Sequence, residues 1–275
     1  MSVLLALFFG IITAAGAYIP ASVSGHLSLF EKLFSVKLHT QSLVLLGVML
    51  ETASLGAIII VYRRDILQIA RDTAAYINPD TRPEKIPQNV RTAFLLTAAT
   101  APLVPAIFLL RAFQNIFLNF TVVSLAFIVS GVVIYAAEKM TSPGKKKASR
   151  LGFGTALLLG LAQVAALIPG LSRLAVTTSA ARAAGIEKES ALRFSYLLSI
   201  PAIFGSLILS VVSAVRAKID WSVFPAYFAG FAVALVLGVF AIRFAQRVWK
   251  SEKLVYSAYY SAGLGILIFL GSLLF

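Results

Sequence analysis

Arg173 stands alone after an uncharged apolar run from Leu151 to Ser172, directly behind Pro169-Gly170-Leu171-Ser172. A guanidinium near the middle of a bilayer costs about 2.5–3.5 kcal/mol even on the lenient insertion scale. A polar or anionic partner must offset that cost. Pro and Gly break the helix at the same point and free backbone N–H groups, which membranes tolerate only where the break is buried in protein or lines a cavity. A fixed guanidinium beside freed N–H groups suits a phosphate. Gly170, Ser172 and Thr177 are the neighbouring groups that would complete such a site. The alternative is that Arg173 snorkels to an interface, which would not require Pro-Gly-x-Ser before it.

A second break reads Pro20-Ala21-Ser22-Val23-Ser24-Gly25-His26. Ser22 and Ser24 offer hydroxyls to a phosphate, and His26 is a candidate acid, base or nucleophile. The same residues also fit a polar helix cap at the membrane surface. Glu51 lies near the centre of an apolar stretch, where an acid is a functional candidate by default. It is read as a catalytic or proton-carrying group, with a protonated, hydrogen-bonded carboxyl as the alternative. Gln163 is the other polar group at depth, either a ligand contact or an interhelical hydrogen bond. Glu31 and Glu138 sit at span ends and are expected to be solvated. The chain has no Cys and two His, so disulfides, Fe–S clusters and thiolate zinc sites are excluded and no metal ligand is assigned.

The elements that must hold these groups are membrane helices. The chain is 59% hydrophobic and 13% charged, with mean hydropathy +0.91, and a soluble domain carries nearly twice that charge. Six stretches, 41–62, 92–110, 118–138, 194–215, 221–242 and 254–275, approach or exceed the roughly 20 apolar residues needed to cross a bilayer. Two more, 1–38 and 151–182, are interrupted by Pro, Gly and Ser and read as re-entrant hairpins. The reading is an all-α, multi-pass protein of the cell membrane. The net charge of +13 is explained by topology rather than by nucleic acid, which is not expected as a partner. Loops 63–91, 139–150, 182–193 and 243–253 hold 18 Lys and Arg, and the alternate loops 31–40, 111–117 and 216–220 hold 5. The first group should face the cytoplasm. Lys145-Lys146-Lys147 reads as a topology signal, with anionic-lipid contact as the weaker alternative.

That orientation makes segment 1–38 begin and end outside and segment 151–182 begin and end inside. Each is followed by three spans, so one membrane domain, 1–275, would hold two inverted repeats, about 1–140 and 151–275, joined at Pro143-Gly144-Lys145. Gly10 through Ile19-Pro20-Ala21-Ser22 echoes Gly160 through Ile168-Pro169-Gly170-Leu171-Ser172. Inverted repeats place their site where the two broken segments meet.

These residues resemble the undecaprenyl-diphosphate phosphatase, or bacitracin-resistance, family over nearly the whole chain. Gly160-Leu161-Ala162-Gln163 and Ile168 to Arg173 match its second signature. Arg193 to Pro201 matches the following Phe-Ser-Phe-Leu-Leu-x-x-Pro stretch. Pro20 to His26 is similar to Pro-x-Ser-Ser-Thr-Gly-His, and Glu51 to Arg64 resembles a segment with Gln or His at its start. The resemblance implies six spans, two re-entrant hairpins and removal of the terminal phosphate from a C55 polyprenyl diphosphate. It implies Arg173 as the diphosphate contact, His26 and a Ser of the first signature as catalytic groups, and a divalent cation such as Mg2+ or Ca2+. This chain carries Thr13 and Ala17 where the family has Glu-x-x-x-Glu, Val23 at the favoured Ser, and Leu174 at the second Ser of Ser-Arg-Ser. Binding groups are kept better than catalytic ones, which predicts weak or absent hydrolysis. A non-hydrolytic polyprenyl-phosphate transporter and a scaffold of cell-envelope synthesis are the alternatives.

Overall fold

The computed structural model describes residues 3–34, 41–111, 119–139, 146–216, 219, 221–251 and 254–274. The expected linker at Pro143-Gly144-Lys145 and most of the loops at 31–40 and 111–117 lie outside them. Within them the protein is all-helical, with a single isolated bridge between Lys146 and Ile186.

The first broken segment forms α1, Val3–Tyr18, and α2, Val23–Leu33. After it come α3, Gln41–Ile77; α4, Gln88–Thr100; α5, Leu103–Arg111; and α6, Phe120–Lys139. The second broken segment forms α7, Phe153–Ala165, and α8, Arg173–Ala183. The chain ends with α9, Lys188–Arg216; α10, Phe224–Lys250; and α11, Val255–Leu274. Among the described residues, five helices (α3, α6, α9, α10 and α11) are long and apolar enough to cross a membrane. This is a multi-pass, all-α membrane protein.

Three sequence expectations change in detail. The stretch 92–110 is not one helix but α4 and α5. Pro102 has no N–H to give the preceding turn, while Ala101 stays right-handed and its N–H still reaches Thr97 O at 3.0 Å. The span expected to end at Tyr62 instead kinks there (φ −101°, ψ 17°) and runs to Ile77. At 1.5 Å per residue its 37 residues extend about 55 Å, so α3 projects well beyond the roughly 30 Å hydrocarbon layer. Glu138 is not solvated. Its carboxylate accepts from Lys188 Nζ at 2.8 Å, and its side chain is 6% exposed. The Glu31 side chain lies outside the described set.

Each broken segment packs its first helix on a helix far away in the sequence. α1 lies on α10, and α7 lies on α4. Both contacts close at a glycine. A Cβ at Gly10 would sit 2.5 Å from Gly230 O, and one at Gly160 would sit 2.4 Å from Ala99 O. No larger residue fits either crossing without moving a backbone. α3 packs against both α9 and α10, and α6 against α11. Tyr18, Tyr62 and Tyr196 meet in the main core with Trp249 and Ile242. Tyr196 Oη donates to Tyr18 O at 2.7 Å, and Tyr18 Oη donates to Ser54 O at 2.8 Å. These bonds satisfy polar ends that would otherwise be costly to bury.

Candidate functional site

The two helix breaks meet. Ser22 Oγ accepts from Gly170 N–H at 3.2 Å across the gap between the segments and from Gly25 N–H at 3.4 Å within its own turn. Ser22 sits at φ +58°, a left-handed conformation that costs a non-glycine residue roughly 1–2 kcal/mol. Its two accepted bonds hold it there. Gly170, at φ +98°, admits no side chain, because a Cβ would stand 2.5 Å from Val123 O. Ser172 caps α8 by accepting from Ala175 N–H at 3.3 Å, and its own N–H donates to Ser130 Oγ at 3.2 Å. The starts of α2 and α8 are thereby locked together.

A cavity of about 820 Å3 opens beside this junction. Arg173, Glu51, Ser22, Ser24 and Ser172 all line it. Arg173 is the one cation and Glu51 the one carboxylate among its described lining residues. The guanidinium has no hydrogen bond or salt bridge within the described residues, and Glu51 attracts it only through space. Glu51 belongs to α3. Its Oε1 accepts from Ser206 Oγ of α9 at 2.6 Å, and Ser210, one turn further along α9, also lines the cavity. Its Oε2 has no partner among the described residues. The first N–H groups of α2 and α8 have no intrahelical acceptor, and both helix starts line the cavity. An unused guanidinium beside two helix N-termini forms an electropositive end fit for phosphate.

The remaining sequence candidates fall outside the cavity wall. Thr177 Oγ1 donates to Arg173 O at 2.8 Å, tying off the first turn of α8. Gly170 contributes its backbone N–H to Ser22 rather than to the cavity. Gln163 is 1% exposed, and neither its amide oxygen nor its nitrogen has a hydrogen-bond partner among the described residues. His26 is engaged at both ring nitrogens: Nδ1 meets Ser22 O at 2.7 Å, and Nε2 meets Tyr260 Oη at 2.6 Å. Its ring also packs edge-on against Phe127. As it stands, the imidazole ties the first break to α11.

Sequence reasoning passed over Ser206, Ser210, Tyr260 and the tyrosines under the cavity. A signal for the serines was present. Ser199, Ser206, Ser210 and Ser213 recur on one face of an otherwise apolar helix. Their partner, Glu51, lies 155 residues from Ser206 in the chain, so no local pattern joins them.

The cavity wall does not suit Mg2+ or Ca2+. Both ions are held by sets of oxygen ligands with carboxylates prominent among them. Here Thr13 and Ala17 line the wall where the resemblance placed two carboxylates, leaving Glu51 alone. Among the described residues no three His, Cys, Asp or Glu side chains cluster as a metal site.

Comparison with known proteins extends over nearly the whole chain. The family described as bacitracin resistance protein BacA matches residues 6–267. The chain is similar to an undecaprenyl-diphosphatase of Carboxydothermus hydrogenoformans, 30% identical over 267 residues that cover 96% of this chain and 95% of the relative. It is similar to an undecaprenyl-diphosphatase of Treponema denticola, 31% identical over 266 residues, 97% and 96% of the two chains. It also matches undecaprenyl-diphosphatase 1 of Halalkalibacterium halodurans, 32% identical over 251 residues, 91% and 89% of the two chains. With a match this long, running from the first break into the last of the five described spanning helices, the chain belongs to the BacA family of membrane undecaprenyl-diphosphatases.

Proposed function

We propose that the chain binds a polyprenyl phosphate or diphosphate in the cavity beside the two helix breaks and releases a terminal phosphate slowly. The observation that carries this reading is the Arg173 guanidinium, which lines the cavity without a hydrogen bond or salt bridge among the described residues. The ligand phosphate supplies that missing partner. Arg173 takes two phosphate oxygens with its planar fork. Ser24, Ser172 and the first N–H groups of α2 and α8 take others. Ser22 holds the two helix starts together, and the Thr177 and Gly170 bonds keep Arg173 in place.

In hydrolysis, water attacks the terminal phosphorus and the bond to the bridging oxygen breaks. Orthophosphate and the prenyl monophosphate leave, and the water's proton passes to a protein base. Glu51 is the proposed base; His26, held outside the cavity wall by Ser22 and Tyr260, reaches the reaction only if its Nε2 leaves Tyr260. Charge neutralisation dominates phosphoryl transfer. A site with one guanidinium and no carboxylate pair neutralises less charge, so turnover is slow. No step is routed through a metal.

The test is phosphate release from a C15 or C55 diphosphate by purified protein, with and without EDTA. Slow, EDTA-insensitive release that Arg173→Ala and Glu51→Gln abolish is the expected result. Introducing Thr13→Glu with Ala17→Glu should raise the rate and make it depend on Mg2+ or Ca2+. Fast, EDTA-sensitive release by the unaltered protein would refute the proposed chemistry.

A further inference from the structure

The cavity holds more than a phosphate needs. Its volume of about 820 Å3 is that of a pocket for an entire drug-sized ligand. Besides the phosphate-binding groups, α9 presents Ser199, Ser206, Ser210 and Ser213 to the same space. Ser199 and Ser213 donate to the Ser195 and Leu209 carbonyls and Ser206 donates to Glu51, so these three hydroxyls offer acceptor oxygens. These positions share one helix face and extend about 21 Å along the axis at 1.5 Å per residue. A prenyl tail gains nothing from a row of hydroxyls. Bare phosphate gains little from the carboxylate that the row supports.

That carboxylate sharpens the problem. With Glu51 ionised, a phosphate at Arg173 places two acceptor-only groups, phosphate and Glu51, in one cavity. Acceptors do not hydrogen-bond each other, and the charge of one opposes the other. Ser206 supplies one donor to Oε1, but Oε2 lacks any partner among the described residues. The wall does not suit a divalent cation that could bridge the two anions. A ligand that brings its own donors resolves the conflict. Alcohol groups donate to a carboxylate and to serine oxygens, and a phosphodiester carries one charge, matched by the single Arg173.

Resting on Arg173 as the phosphate contact, we infer that this site takes a lipid phosphodiester with a polyhydroxylated headgroup, the headgroup lying against Glu51 and the serine face of α9. Two sources offer this chemistry: a prenyl phosphate joined to a sugar, and a glycerophospholipid with a polyol headgroup. Both place a singly charged phosphate beside several hydroxyls.

The test measures binding to purified full-length protein in detergent. Its probes are farnesyl phosphate, farnesyl phosphoglucose, and short-chain phosphatidylinositol beside the phosphatidate of matching chains. The unaltered protein should bind farnesyl phosphoglucose at least tenfold more tightly than farnesyl phosphate. That ratio should fall to about one in Ser206→Ala/Ser210→Ala and in Glu51→Gln, each confirmed as folded by its melting temperature. A headgroup preference confined to the farnesyl pair identifies the prenyl source, and one confined to the glycerolipid pair identifies the other. Either result supports the inference. Equal affinities within both pairs, or a preference that survives the serine substitutions, overturns it. Farnesyl phosphate bound through Arg173 without headgroup preference removes this inference alone. No binding of any phosphate removes the reading of Arg173 as well.

Discussion

Replacing Arg173 tests the site at its centre. Among the described residues the guanidinium has no hydrogen-bond partner to strand, so Arg173→Ala removes a ligand contact without orphaning a hydrogen bond to any of them. The loss on binding is then one charge-assisted interaction with phosphate, about 1.5–3 kcal/mol. At 1.4 kcal/mol per tenfold, affinity for farnesyl phosphate should fall roughly 10- to 150-fold. Arg173→Lys should recover only part of it, because an ammonium lacks the planar fork that meets two oxygens. The same substitution removes the one cation facing Glu51 in the cavity. Stranding a charge from a buried contact pair costs about 3–5 kcal/mol. Glu51 and Arg173 form no salt bridge, so the cost here should be below that range. Adding Glu51→Gln to Arg173→Ala should therefore restore melting temperature but not affinity. The assay is titration of purified, folded protein with farnesyl phosphate, alongside thermal unfolding of the two single variants and the double. Affinity of Arg173→Ala within twofold of the unaltered protein would refute the reasoning.

Three other outcomes are expected. Cys introduced at 145 or 250 should be shielded from an impermeant thiol reagent in intact cells, and Cys at 216 should be labelled, because loop charge places the first two in the cytoplasm. Gly170→Ala should destabilise the protein by more than 2 kcal/mol. It adds a left-handed penalty of roughly 1–2 kcal/mol to a Cβ standing 2.5 Å from Val123 O; unchanged thermal unfolding would contradict the geometry. Lys188→Met should cost far more stability than Lys250→Met. The first strands Glu138, 6% exposed, and the second only loosens an exposed pair with Glu189 that is worth about 0–1 kcal/mol. Comparable losses by thermal unfolding would place Glu138 in solvent.

What the sequence determined alone were properties that local composition dictates. Apolar runs of span length have no stable home in water, and Pro-Gly beside a lone Arg cannot continue a helix. The membrane class, both helix breaks and the choice of Arg173, Glu51, Ser22, Ser24 and Ser172 all followed from such local rules. Glu138 shows their limit. By position it belonged to a solvated span end, yet Lys188 comes 50 residues later to bury and pair it. The cavity itself was decided by tertiary structure. Ser22 accepts from Gly170 148 residues away, Glu51 from Ser206 155 residues away, and His26 meets Tyr260 across 234 residues. A hydroxyl has several possible partners, and sequence spacing does not choose among them. Helix crossings do, and they are set by how closely two backbones approach at residues such as Gly10 and Gly160. For that reason His26 could be recognised from its motif, while its turn away from the cavity toward Tyr260 became visible only when α2 packed beside α11.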